Sequence, residues 1–180
     1  NNENWLKIML VVGAVALSLT VVDGVNLGFI KSIVARPRPL ESHVLQRLVV
    51  ATNHYRAEGY SFFSSHAANA FVVAVFFSLL VRDRIFSAFM TAWSITLSAT
   101  RLYLGVHYPS DILAGMLFGA VVAALVYYLY RRIYARCSDK LHYISTKYTQ
   151  TGYSFADIDV VICVLLLTFI YAAFRAVLSI

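Results

Sequence analysis

The sequence predicts an all-α membrane protein, a polytopic bundle of about five spanning helices, and three observations lead there. Apolar residues make up 60% of the 180-residue chain and charged residues only 13%, against about 45–50% and about 25% in soluble domains. The apolar residues fall in runs near span length, about 20 residues for a hydrocarbon core about 30 Å thick. None of these runs alternates as barrel strands do, and only helices or closed barrels satisfy their backbone in lipid.

The first expected span is Ile8–Ile30, uncharged apart from Asp23. It lacks the short apolar core and small-residue cleavage site of a signal peptide. The second is Ala67–Val81, which reaches span size if the helix starts near Ser64. The third, Ile85–Ala99, follows the short turn Arg82-Asp83-Arg84, and the fourth, Ile112–Tyr130, carries no charge. The fifth, Val160–Ile180, is interrupted only by Arg175, where a long side chain can reach the interface. Arg131–Asp159 reads as a polar linker, and the whole chain, residues 1–180, as a single membrane domain. The small residues Ala67, Ala68, Ala70, Ala114, Gly115, Gly119 and Ala120 read as close helix packing.

Composition also excludes functions. The net charge of +6 is dispersed between apolar runs, so it marks membrane flanks and an anion site, not a nucleic-acid stripe. Cys137 and Cys163 are too few for a disulfide framework, and no Cys/His set has metal-ligand spacing. Neither a metal nor a cofactor is expected.

Strict alternation of five spans gathers Lys7, Arg82, Arg84, Arg131, Arg132, Arg136, Lys140 and Lys147 on one face. The other receives Lys31, Arg36, Arg38, Arg47, Arg56 and Arg101, with Arg175 near the same end. If part of the second set serves a site, the first set lies in the cytoplasm and the second face is periplasmic or extracellular.

That second face carries the chemistry. Lys31, Arg38 and Arg101 offer charged donors, and an arginine fork suits bidentate contact with phosphate oxygens. Ser64 precedes an apolar run, where serine caps a helix and leaves the amides of Ser65 and His66 facing an anion. Histidine serves as nucleophile or general acid near neutral pH, and His66 and His107 are both present here. Asp111 lies one helical turn beyond His107, with Pro109 between them as a first-turn residue. A carboxylate so placed can hold one imidazole nitrogen and leave the other to attack, the orienting logic of hydrolytic triads.

These spacings resemble the type 2 phosphatidic acid phosphatase (PAP2) superfamily, whose motifs are Lys-x6-Arg-Pro, Pro-Ser-Gly-His and Ser-Arg-x5-His-x3-Asp. The first matches at Lys31, Arg38 and Pro39; the second at Ser64 and His66, with Phe63 and Ser65 for its proline and glycine. The third matches at Arg101, His107 and Asp111, with Thr100 for its serine. The resemblance covers about residues 20–130 and implies a metal-independent phosphatase. His107 would form a phosphohistidine, Asp111 would orient it, and His66 would protonate the leaving oxygen and then activate water. Lys31, Arg38, Ser64, the Ser65 amide and Arg101 would hold the phosphate. Relative to the family's bacterial members, the chain is expected to lack leading helices and to carry Val160–Ile180 as an extra span.

The expected substrate is a phosphorylated lipid whose tails stay among membrane lipids. Undecaprenyl diphosphate ranks slightly ahead of phosphatidylglycerol phosphate, phosphatidic acid and lipid A phosphates, by family analogy alone. The same site could serve a phosphotransferase or, loaded with vanadate, a haloperoxidase. A non-catalytic lipid-binding scaffold is disfavoured, since it has no need of this constellation. The expected setting is a bacterial inner membrane, with the site on the periplasmic or outer face.

Simpler roles are expected for the remaining polar residues. Arg36, Arg47 and Arg56 read as headgroup anchors, and His43, His54 and His142 as structural. Asp23 reads as a structural support, although an acid inside a span is a functional position by default. Tyr127, Tyr128 and Tyr130 read as an interfacial belt, and Leu40–Tyr60 as a short interfacial helix.

Overall fold

A computed structural model describes residues 5–41, 58–137 and 147–178, with side chains described to 136 and 173 in the last two segments. The chain is all-α. It begins with α1 (Trp5–Val25), passes through a π-helical segment (Asn26–Ile30) into the short α2 (Lys31–Val34), and then makes a 3₁₀ turn (Pro39–Glu41). The remaining helices are α3 (Ser65–Val81), α4 (Arg84–Tyr103), α5 (Pro109–Cys137) and α6 (Phe155–Leu178). Arg47, Arg56, His43, His54, His142 and most of the expected interfacial helix lie outside the described residues, as do the side chains of Cys137 and Arg175.

Among the described residues, three helical stretches are long and apolar enough to cross a membrane: Trp5–Glu41, Pro109–Arg136 and Phe155–Ala173. α3 is apolar but has only 17 residues. It is nevertheless the centre of the bundle, packed against α5, α4 and α1. Ala67, Ala68, Val72, Ala74 and Phe76 are buried along its length. α4 has 20 residues but is more polar. Its hydroxyls are satisfied within the helix: Thr91, Thr96 and Ser98 donate to carbonyls four residues back, at 2.7–2.9 Å. Ser94 and Thr100 reach three residues back. Such self-bonding removes most of the cost of placing a hydroxyl in an apolar setting.

α5 meets α3 closely because Gly115 and Gly119 face it. A Cβ on Gly115 would come within 2.6 Å of the Ser64 carbonyl oxygen, and one on Gly119 would collide with the Ala68 carbonyl. Small residues one turn apart thus let the two backbones touch, as in many membrane helix pairs. The opposite side of α5 presents Leu113, Leu117, Val121 and Leu125 outward, an exposed apolar stripe suited to lipid.

Three expectations change here. α5 does not stop at Tyr130 but runs to Cys137. Arginine is a good helix former, so Arg131 and Arg132 extend the helix beyond its apolar section. Tyr134 stacks on Tyr130 at 5.8 Å between centroids. Nor do the tyrosines form an outward belt: Tyr127 and Tyr130 turn inward, edge-on to Phe76, and only Tyr128 is exposed. α6 begins at Phe155, ahead of the expected Val160. The loop before it is tied to the end of the bundle remote from the motifs. Thr151 donates to the Val81 carbonyl at 2.8 Å, and the Lys7 ammonium sits 4.4 Å from the Tyr153 ring centroid.

Candidate active site

At the other end of the bundle, the close of the first helical run, the start of α3 and the α4–α5 connection converge. Together they line a cavity of about 260 Å3 that includes Lys31, Arg38, Ser65, His66, Arg101 and His107. Of the eight residues singled out from sequence, six therefore face one space, and Ser64 and Asp111 stand fully buried behind it. Among the described residues, no group of three His, Cys, Asp or Glu side chains could hold a metal.

Each position has a local cause. Ser64 is the N-cap of α3: its extended backbone breaks the helix, and its hydroxyl accepts from the Ala67 N–H at 3.4 Å. The first-turn N–H groups of Ser65 and His66 then have no intrahelical acceptor and add the positive end of the helix dipole. The Ser64 N–H donates to the Asp111 carbonyl at 3.1 Å, locking the start of α3 to the start of α5. Ala35 is left-handed (φ 45°), which ends α2 and turns the following arginines back over the helix ends. Arg38, only 5% exposed, donates to the carbonyls of Gly59, Val106 and Glu58 at 2.8–3.0 Å. Its guanidinium is therefore fixed before any anion arrives.

The Asp111 carboxylate is held from three sides. Arg36 Nη1 donates to its Oδ1 at 2.7 Å, and the Tyr108 N–H donates to its Oδ2 at 3.0 Å. The Ser61 hydroxyl donates to the same Oδ2. His107 Nδ1 lies 3.8 Å from Oδ2, close enough for an ion pair but beyond hydrogen-bond length. Nδ1 faces the carboxylate, so Nε2 is the nitrogen left to other partners. Burial holds the His107 imidazole down at about 4 against its ordinary 6.5, and the charges of Arg38 and Lys31 push the same way. Asp111 and the Ser61 backbone oppose that shift without reversing it. The imidazole is thus neutral, with a lone pair, throughout the neutral range.

Arg36 is corrected by this geometry. It is no headgroup anchor but the partner of Asp111, and its guanidinium also stacks 3.7 Å from the Tyr108 ring centroid. Sequence reasoning also missed Ser61 and Asn26. Asn26, fully buried in the π-helical segment, donates to the Phe63 carbonyl at 2.9 Å and the Ser65 hydroxyl at 2.7 Å. It holds the approach to α3 in place. A polar amide inside an apolar span was the available signal, since such residues carry a role by default. Asp23 receives the Asn69 amide at 3.1 and 3.2 Å and also faces the cavity.

Fold and site together define an all-α membrane protein with a pocket lined by cations at one end of its helices, two imidazoles in its lining and a buried carboxylate behind one of them. The chain belongs to the PAP2 superfamily, whose family model matches residues 7–135. It is 38% identical over 136 residues to the lipid A 4'-phosphatase of Bacteroides thetaiotaomicron, covering 75% of this chain and 60% of that protein. To the lipid A 4'-phosphatase of Porphyromonas gingivalis it is 34% identical over 130 residues, 71% of this chain and 53% of the relative. A lipid A 1-phosphatase of Rhizobium etli is 32% identical over 127 residues, 70% of this chain and 52% of the relative. The chain thus spans between half and three-fifths of the length of these curated relatives. No solved structure matches it significantly. Its apolar helices and its relatives make it a bacterial membrane protein.

Proposed function

We propose that this protein is a lipid phosphatase that removes phosphate from a phosphorylated lipid through a phosphohistidine on His107. What carries the reading is the meeting of Lys31, Arg38, Ser65, His66, Arg101 and His107 around one cavity with Asp111 behind it. Nε2 of His107 attacks phosphorus while the bond to the leaving oxygen breaks, and His66 gives that oxygen its proton. Water, deprotonated by His66, then attacks phosphorus; the P–N bond breaks, releasing phosphate and restoring His107. The cations and the first-turn amides of α3 are in place before charge grows on the phosphoryl oxygens, and removing one such donor typically costs about 10²–10³ in rate. Protein charges supply this stabilisation, so no metal is needed. The names of the relatives move lipid A phosphate ahead of undecaprenyl diphosphate as the substrate. Placing Lys7, Arg82, Arg84, Arg131, Arg132 and Arg136 in the cytoplasm sets the site on the periplasmic face.

The test is phosphate release by purified protein in detergent across lipid A, phosphatidic acid, phosphatidylglycerol phosphate and undecaprenyl diphosphate, without an added acceptor alcohol. Release is expected, with competition by vanadate, which mimics pentacoordinate phosphorus, and without inhibition by chelators. Release only when an alcohol is supplied would make the protein a phosphotransferase, and a strict Mg²⁺ requirement would overturn the metal-free mechanism.

The pH profile follows from His107. Protonation removes the attacking lone pair, so activity is kept above the imidazole's pKa and lost as pH falls through it. With that pKa at about 4, the acid limb of kcat/KM governed by the nucleophile is expected near pH 4. An acid limb near neutral pH instead would contradict the assignment of His107 as the nucleophile.

A further inference from the structure

A second cavity, of about 430 Å3, adjoins the first and shares Asp23, Ser65 and His66 with it. Its other lining includes Asn69 and Trp93. The reaction above uses neither Asn69 nor Trp93, and it gives Asp23 no part. Yet an acid in an apolar span is expensive. The Asn69 amide gives both its bonds to Asp23, at 3.1 and 3.2 Å, while its own Oδ1 is buried without a hydrogen-bond partner. Such an unsatisfied atom is uncommon in a pair that serves packing alone.

His66 stands on the seam between the two cavities. On the phosphatase reading, on which this inference rests, it protonates the leaving oxygen, so what that oxygen belongs to occupies the second cavity. The chemistry of the lining then selects among leaving groups. A bare acyl or prenyl chain would cover the Asp23 carboxylate without giving it a donor. The monophosphate released from a diphosphate would bring negative charge against Asp23. A neutral, hydroxyl-rich ring would do neither: its hydroxyls donate to the carboxylate, and its apolar face rests on the indole. We propose that the second cavity is the leaving-group subsite for the sugar headgroup of a phosphorylated glycolipid, with Asp23 as its hydroxyl acceptor and as the charge that turns diphosphates away.

The test uses the whole chain in a sugar-free detergent. The selectivity ratio is kcat/KM for an alkyl N-acylglucosamine phosphate divided by that for undecaprenyl diphosphate. Asp23→Asn keeps the shape of the side chain and removes its charge, and is expected to lower that ratio about tenfold or more. Equal changes on the two substrates, or a higher ratio, would overturn the proposal. A second measurement needs no turnover. The chain has two tryptophans, so a Trp5→Phe variant reports on Trp93 alone. Adding the dephosphorylated glycolipid is expected to shift its emission, and the added Asp23→Asn change to weaken that response. A fluorescence response without phosphate release from any lipid would sink the phosphatase reading and leave the sugar subsite standing. Phosphate release with neither the ratio change nor the response would sink the subsite alone.

Discussion

Replacing His107 by alanine is expected to abolish phosphate release and to leave no acid-labile phosphoenzyme. Loss of a nucleophile costs on the order of 10³–10⁶ in rate in enzymes where it has been measured, which exceeds the effect of removing any one phosphate donor. The structure makes this variant interpretable. His107 is 5% exposed, and its Nδ1 makes no hydrogen bond among the described residues. Truncation therefore leaves the Nδ1 side undisturbed and gives up only the contact with the Ser61 backbone. The carboxylate behind it stays bonded to Arg36, Ser61 and the Tyr108 N–H. The helical signal of the variant in detergent should match that of the parent, and the phosphate-binding cations should still take up vanadate. Turnover within a few-fold of the parent would remove His107 from the nucleophile's role.

How much of this was legible in sequence depended on whether the cause was local. The five long helices, α1 and α3 to α6, follow from apolar runs, which are a local property, and α3 starts at Ser65 because Ser64 caps it. The motif residues were legible because their spacing is fixed along the chain. The supports behind them were not. Asn26 reaches residues 37 and 39 positions away, and Arg36 finds Asp111 at a separation of 75. Nothing beside Arg36 in the sequence distinguishes it from a headgroup anchor; only the left-handed turn at Ala35 aims it inward. The end of α5 was misjudged for another reason. Charge limits where a helix leaves lipid and not where its backbone bonding stops, so the apolar run ends at Tyr130 while α5 continues to Cys137.

The second large effect is expected at Gly119, in the α3–α5 contact. Alanine is usually favoured over glycine inside a helix by about 0.8–1.0 kcal/mol, so replacing a mid-helix glycine should stabilise wherever space allows. On α1, Gly24 has no atom within 4 Å of a built Cβ, and Gly24→Ala is expected to be neutral or mildly stabilising. At Gly119 a Cβ would collide with the Ala68 carbonyl oxygen and stand 2.8 and 3.0 Å from its carbonyl carbon and Cα. These are backbone atoms of the central helix, and they cannot give way as a side chain would. Overpacking typically costs about 1–3 kcal/mol. Gly119→Val is expected to reach the upper part of that range, because its branches add to the collision. The only relief is for α5 to move off α3, and that separation pulls on the Ser64–Asp111 backbone bond that joins their first turns. Melting curves in detergent should therefore place Gly119→Val well below the parent and Gly24→Ala level with it or above. Activity measured below both transitions should fall in the first variant and hold in the second. Matching melting curves for the two variants would mean that α3 and α5 do not pack at the described distance, and that the pocket at their ends is held together in some other way.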